Sequence, residues 1–220
     1  MSSSLNSRFP RGLKSTLAVF IFLWCSTSLQ GQSLYTPEGE HTVAVGIGLP
    51  RADFLSGAYE IKASISKKGR WDLGASFSRY SISLDRFTQF ESQQFFTPQV
   101  GYLWVKGKKG FNLSTTAGAH IGMGENSETG FSYNVLVGQR FGKINNTHVL
   151  PYISMNRTNL TNEDNLGAGV SLNMTTPENG TDIASIDLGI SSLSSGRIFT
   201  ISFTWIITQI KDLEPLTDGG

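Results

Sequence analysis

Six ionisable residues, Glu60, Lys62, Asp72, His120, Arg140 and Asp187, alternate with apolar neighbours and so share the polar face of the segments that carry them. The chemistry open to them is hydrolysis. His120 would act as general base, polarised by Glu60 or an aspartate, with a serine of the same face as nucleophile. Such a constellation needs hydrogen-bond reach between distant segments, and serines, a histidine and acids are ordinary components of any polar interior. Enclosed charges are rarely left without a partner. The expectation is therefore a charge network that fills and stiffens an interior, with no residue assigned as catalytic.

Other chemistries find less support. His41 and His148 sit at segment ends remote from His120, which does not suit a metal site. The single cysteine, Cys25, lies in an N-terminal leader, so neither a disulfide nor a thiolate site is available. No cofactor is expected: Gly46-Ile47-Gly48 runs into Leu49-Pro50 and lacks both the later glycine and the helix of a dinucleotide fingerprint. Asn-x-Ser/Thr triplets at Asn112, Asn145, Asn156, Asn159, Asn173 and Asn179 are what an Asn/Ser/Thr-rich chain produces by chance.

The elements that must position the six groups are strands. From Phe111 to Met123 the chain alternates, with Phe111, Leu113, Ala117, Ala119, Ile121 and Met123 on one side and Asn112, Ser114, Thr116, Gly118, His120 and Gly122 on the other; Thr115 breaks the beat. The same period predicts strands at 41–49, 58–67, 70–82, 94–105, 111–123, 131–142, 148–156, 165–175, 182–192 and 197–208. No helix-forming stretch is convincing, and no apolar run is long enough to cross a membrane as a helix, so a membrane reading requires strands closed on themselves. The predicted fold is all-β: a closed antiparallel up-and-down transmembrane β-barrel of about ten strands, with eight as the alternative count.

On that fold the large apolar side chains face outward and the small and polar ones inward. Trp71, Trp104, Phe111, Phe141 and Trp205 then gather at the periplasmic rim, and Tyr59, Phe77, Phe96, Phe131, Tyr133 and Phe199 at the outer one, as girdles at the two interfaces. Tight basic turns, Lys67-Lys68-Gly69-Arg70 and 106–110, are expected on the periplasmic side against lipid phosphates, and looser segments such as 85–93, 124–130 and 157–164 outside. Phe87 and Phe90 could touch a partner or lipopolysaccharide, or fold onto the rim. Pro98 and Pro151 fall inside strands, and Pro98 is expected to mark a bulge or the end of regular pairing.

The leader holds Arg8, Arg11 and Lys14, an apolar run from Leu17 to Cys25, and the small or polar stretch from Ser26 to Gly31, in the order of a cleaved signal peptide. Its removal takes three basic residues and no acidic one, turning 18 Lys and Arg against 17 Asp and Glu into a small acid excess, which argues against nucleic acid. The expected organisation is a signal peptide at 1–31, a short periplasmic segment at 32–40, the barrel at 41–208 and a polar tail at 209–220.

With its leader, its Gly-x-Gly and Ala-x-Gly strands (Val45 to Gly48, Thr116 to Gly122, Leu166 to Leu172) and its last strand from Phe199 to Trp205, the chain resembles the small outer-membrane β-barrel proteins of Gram-negative bacteria, the porin-like or OmpA/OmpX-like group. The resemblance is to the barrel half of the OmpA type only, so no peptidoglycan-binding domain is expected, and the last strand is followed by a polar stretch, Lys211 to Gly220, where many members end on an aromatic residue. The resemblance implies the cell outer membrane as location, outer-membrane lipid and lipopolysaccharide as surroundings, and the outer-membrane assembly machinery as a partner during biogenesis. The expected role is non-enzymatic: structural, adhesive or narrow permeation. The alternatives are an outer-membrane hydrolase using a His/acid/Ser site in the lumen, and a soluble exported lipocalin-like binding barrel whose faces would be inverted.

Overall fold

Alternation of apolar and polar residues every two positions can bury neither face of an isolated strand, and it is resolved here by a sheet that closes on itself. The computed structural model describes residues 40–52, 55–83, 90–106, 111–124, 129–159, 164–177, 182–193 and 196–211. The signal peptide (1–31), the segment 32–40 apart from Glu40, Phe87, the side chain of Phe90 and the tail beyond Lys211 lie outside the described residues.

The strands are β1 (Glu40–Arg51), β2 (Leu55–Lys67), β3 (Trp71–Ser83), β4 (Phe90–Val105), β5 (Phe111–Met123), β6 (Thr129–Gln139), β7 (Lys143–Ile144), β8 (Thr147–Thr158), β9 (Asp164–Thr175), β10 (Asp182–Leu193) and β11 (Gly196–Lys211). The ten long strands form an antiparallel meander. Closure comes from two pairings: β1 with β11, from Glu40↔Lys211 to Arg51↔Phe199, and β6 with β8, from Ser132↔Thr158 to Gly138↔Tyr152. The count is thus ten, and the eight-strand alternative is excluded. β7 is an addition the alternation could not foresee. It is a two-residue strand folded onto β8 through Asn145 and Asn146, whose φ values of 46° and 62° are those of a type I′ hairpin turn.

Three local features differ from expectation. β4 passes through Pro98 with no shift of register: Phe96↔Ile121 and Gln99↔Gly118 belong to one continuous ladder, and pairing lapses only at Thr97 and Pro98, where the ring removes a donor. The bulge falls instead at Trp104, between Leu103↔Ser114 and Val105↔Leu113, and it puts both Trp104 and Val105 on the outer face. β6 ends at Gln139, so Phe141 lies in the connection to β7, where its N–H donates to the Val149 carbonyl at 2.9 Å.

Connection length does not separate the two ends of the barrel. The expected longer loops are matched at the same end by the brief joins at 52–54 and 194–195. Chain polarity orients the barrel, since Glu40 pairs with Lys211 at the end that also carries the Lys67–Arg70 turn, the periplasmic end in single-chain outer-membrane barrels.

Trp71, Trp104 and Trp205 are 49%, 58% and 51% exposed on the outer face, amid Ile61, Leu73, Ile153, Leu166 and Ile201, also exposed. A lipocalin-like barrel would hold these rings inside, so the inverted arrangement is not the one adopted. An outer face this apolar is stable only against hydrocarbon.

Candidate functional site

The inward positions form a packed interior arranged in layers. At mid-height, Glu60 on β2 is 1% exposed and Lys62, two residues on, is 3% exposed. The register sets Lys62 opposite Gly46 on β1, and Gly46 opposite Thr204 on β11. Glycine is required there for space: a Cβ on Gly46 would stand 2.5 Å from Lys62 Cε, 2.6 Å from the Phe203 carbonyl and 3.0 Å from Thr204 Oγ1. The Lys62 side chain therefore lies flat across β1. Glu60, Gly48, Ser202 and Asp187 share one cross-strand row, and the Lys62 charge acts on Asp187 over it.

From the opposite side Tyr152 on β8 reaches the same region. Its hydroxyl would be 2.5 Å from a Cβ on Gly169 of β9 and 3.2 Å from one on Gly189 of β10, and it feels the charge of Asp187. Two facing glycines thus open a channel for one aromatic side chain. Tyr152 was absent from the candidates drawn from sequence. Its signal is the pair of facing glycines, which becomes visible only once Tyr152↔Gly169 and Gly169↔Gly189 are known.

Towards the outer end His120 on β5 is fully buried between two hydroxyls: Nδ1 lies 3.2 Å from Thr97 Oγ1 on β4, and Nε2 lies 2.5 Å from Ser132 Oγ on β6. Thr97 stands opposite His120 in the lapsed part of the β4–β5 ladder, so this side-chain bond joins the strands where the backbone pairing does not. In a hydrolytic triad the nitrogen facing away from the serine is held by a carboxylate; here it faces a threonine. Glu60, its proposed polarising acid, lies on β2, with β3 and β4 between them.

The remaining charges are not gathered into this centre. Asp72 is half-buried on β3 near the periplasmic end, and Arg140 is half-buried just past β6, with β4 and β5 between them. His41 on β1 and His148 on β8 are likewise remote from His120 in the sheet, and no group of three or more His, Cys, Asp or Glu suited to a metal occurs among the described residues.

The lumen is also less polar than the alternation suggested. Leu103, Leu136 and Leu150 point inward from β4, β6 and β8 and form a buried cluster with Tyr152 packed on it. Nearer the other end Tyr80 and Phe95 are buried with ring centroids 6.4 Å apart, and Ile198 is buried on β11. Burial of the inward face is incomplete at Asp72, Gly74, Thr116, Gly118, Gly167, Gly169, Asp187, Gly189, Ser191 and Thr204, on five of the strands.

Outside, Trp71, Tyr102 and Trp104 form one aromatic cluster at the periplasmic rim, with centroids 4.6 Å apart for the first pair and 4.8 Å for the second. Phe111, Phe141 and Trp205 are exposed at that same end, Trp205 stacking on Phe203. Of the outer set, Phe131 and Phe199 are exposed near strand ends and Tyr59 is half-buried, whereas Phe77 and Phe96 pair with each other in mid-strand. Tyr133 lines a groove shared with Trp71 and Trp104.

Neither a protein-family model nor a curated protein matches the chain. Among solved structures it is similar to the N-terminal β-barrel domain of Pseudomonas aeruginosa OprF, with 11% identity over 79% of this chain and 98% of that one and a TM-score of 0.33. It is similar also to the KdgM porin in complex with disordered oligogalacturonate, with 6% identity, 74% and 98% coverage and a TM-score of 0.37. A third is Ail, the attachment invasion locus protein of Yersinia pestis, with 14% identity, 79% and 99% coverage and a TM-score of 0.32. These likenesses are of fold.

Proposed function

We propose that the chain is an integral barrel of the bacterial outer membrane, closed to free diffusion at rest, with a structural or surface-presenting role and no catalytic one. The observation that carries this reading is the pairing of an apolar, exposed outer face with an interior in which Glu60, Lys62 and His120 are buried and Leu103, Leu136 and Leu150 pack together. Ten strands enclose only slightly more room than the eight that side chains can fill, and the long side chains here occupy it. The Thr97 hydroxyl beside His120 Nδ1, on the side of the ring away from Ser132 where a triad holds a carboxylate, weighs against the hydrolase alternative. On this reading the chain is exported through a cleaved signal peptide, inserted by the outer-membrane assembly machinery, and surrounded by lipid and lipopolysaccharide.

A narrow-permeation role is favoured by one feature, the small and only partly buried inward residues Gly74, Gly118, Gly167, Gly169 and Gly189. Two measurements test the proposal. The chain is expected in the outer-membrane fraction with heat-modifiable gel mobility, and recovery in the soluble periplasm overturns the envelope reading. Planar-bilayer recordings of the refolded protein are expected to be silent; discrete conductance steps refute the closed barrel and establish the permeation role.

A further inference from the structure

On the outer face near the periplasmic end the barrel is not convex. Trp71, Tyr102, Trp104, Thr115, Ala117 and Tyr133 border a groove of about 480 Å³. It exists because small residues alternate with large ones on one face: Ala117 pairs with Val100 and Tyr133, and its methyl group leaves a floor between rings that stand up on either side. The bulge at Trp104 deepens it by adding an extra outward ring to β4. The polar atom of that ring is turned inside the groove wall, where the indole N–H donates to Thr115 Oγ1 at 2.9 Å.

A basic turn adjoins the periplasmic end of the groove. The turn that precedes Trp71 carries Lys67, Lys68 and Arg70, with Lys68 and Gly69 at φ values of 55° and 61° and the Arg70 N–H bonded to the Lys67 carbonyl at 3.1 Å. The Arg70 carbonyl accepts from the Leu103 N–H at 2.8 Å, which fixes this turn beside β4. Lys106, two residues after Trp104, extends back over the turn and donates from Nζ to the Gly69 carbonyl at 3.3 Å. The Lys106 ammonium is thus held at the turn that leads into Trp71, at the headgroup end of the aromatic slot.

We propose that this groove is a binding site for an anionic glycerophospholipid of the periplasm-facing leaflet, one acyl chain lying between Trp71/Trp104 and Tyr133 and the phosphate meeting Lys106. The inference rests on the outer-membrane reading above, which sets the depth and orientation of the groove. Apolar walls alone would accept any lipid; the Lys106 ammonium makes the choice, one basic group near a membrane surface favouring an anionic lipid by about five-fold.

The test uses the full chain with Trp24 and Trp205 replaced by Phe, so that Trp71 and Trp104 report. It is reconstituted in phosphatidylcholine vesicles with increasing brominated phosphatidylglycerol or brominated phosphatidylcholine, and tryptophan quenching gives the relative affinity. Phosphatidylglycerol is expected to be preferred about five-fold. The preference is expected to vanish in Lys106→Glu and in the milder Lys106→Gln, and quenching by both lipids is expected to fall in Ala117→Phe, which fills the floor. Heat-modifiable mobility shows which variants fold. Equal quenching by the two lipids, or a preference that survives Lys106→Gln, overturns the site. So does a dimer, seen by native mass spectrometry, that excludes both lipids from the tryptophans. A chain that does not float with vesicles refutes the envelope reading itself; one that floats without preference refutes only the lipid site.

Discussion

Trp104 on β4 donates its indole N–H to the hydroxyl of Thr115 on β5 at 2.9 Å, across the bulge in the β4–β5 ladder. Both residues belong to the outer face, where Thr115 is the one polar interruption in the alternation of its strand. A tryptophan facing hydrocarbon has a donor with no water to satisfy it, and the misplaced threonine supplies the acceptor. Neither residue explains itself alone.

The pair should therefore be energetically coupled. Thr115→Val gains apolar surface towards lipid but leaves the indole N–H without its acceptor, and Trp104→Phe removes the donor. A double-mutant cycle on reversible unfolding in lipid vesicles is expected to give a coupling of about 1 kcal/mol. Strict additivity of the two changes would show that the bond contributes nothing.

Gly46 is a second place where one residue type is dictated by its neighbours. Gly46→Ala brings a methyl group against the Phe203 carbonyl, which is backbone and cannot rotate away, and against the Lys62 chain. The expected cost is about 2 kcal/mol. Gly57→Ala, where nothing lies within 4 Å, is the control and should change stability by less than about 0.5 kcal/mol. Equal effects at the two glycines in urea titrations would mean that Lys62 does not lie across β1.

How legible the molecule is in its sequence follows from which features are periodic. The ends of β5 coincide with the predicted 111–123, and the other nine long strands fall within a few residues of expectation, because a two-residue beat is a local property. The inward side of Glu60, Lys62 and His120 follows from the same parity. What parity cannot convey is register. That Gly46 underlies Lys62, or that Gly169 and Gly189 admit Tyr152, depends on which residue of a neighbouring strand stands opposite. The Leu103, Leu136 and Leu150 cluster was hidden differently, since an apolar residue on the polar face of one strand reads as an irregularity until three strands place theirs together. Pro98 was the conspicuous candidate for the bulge, yet a proline whose missing donor is compensated by a side-chain bond between Thr97 and His120 leaves the register intact.

Lys62 lies between Glu60 on its own strand and Asp187 in the adjoining row. Lys62→Met leaves two carboxyl groups in a packed interior without the cation, at an expected cost of about 3 kcal/mol. Adding Asp187→Asn to Lys62→Met should recover part of that loss, which equilibrium unfolding measures directly. Failure of the second change to restore any stability would separate Asp187 from Lys62.

The leucine cluster is the expected apolar barrier of the lumen. Leu150→Ala should cost about 3 kcal/mol by opening a cavity beneath Tyr152. The combination of Leu103→Ala, Leu136→Ala and Leu150→Ala should turn a silent barrel into one with discrete conductance steps in planar bilayers. A triple variant that folds, as judged by heat-modifiable mobility, and stays silent would place the barrier elsewhere, at the Lys62–Asp187–Tyr152 layer.

His120 and Ser132 provide the sharpest contrast between architecture and catalysis, because their bond is the one a serine hydrolase would use. If the bond is architectural, His120→Ala leaves the Thr97 and Ser132 hydroxyls facing a buried void and should cost about 2 kcal/mol, while Ser132→Ala, which removes one small group, should cost about 1 kcal/mol. The refolded wild-type barrel should then resist a fluorophosphonate probe, since His120 has no exposed surface and Ser132 is buried. Covalent labelling of Ser132 that disappears in His120→Ala would reverse this assignment, because a hydroxyl attacked in that way must be both reachable and activated by the imidazole beside it.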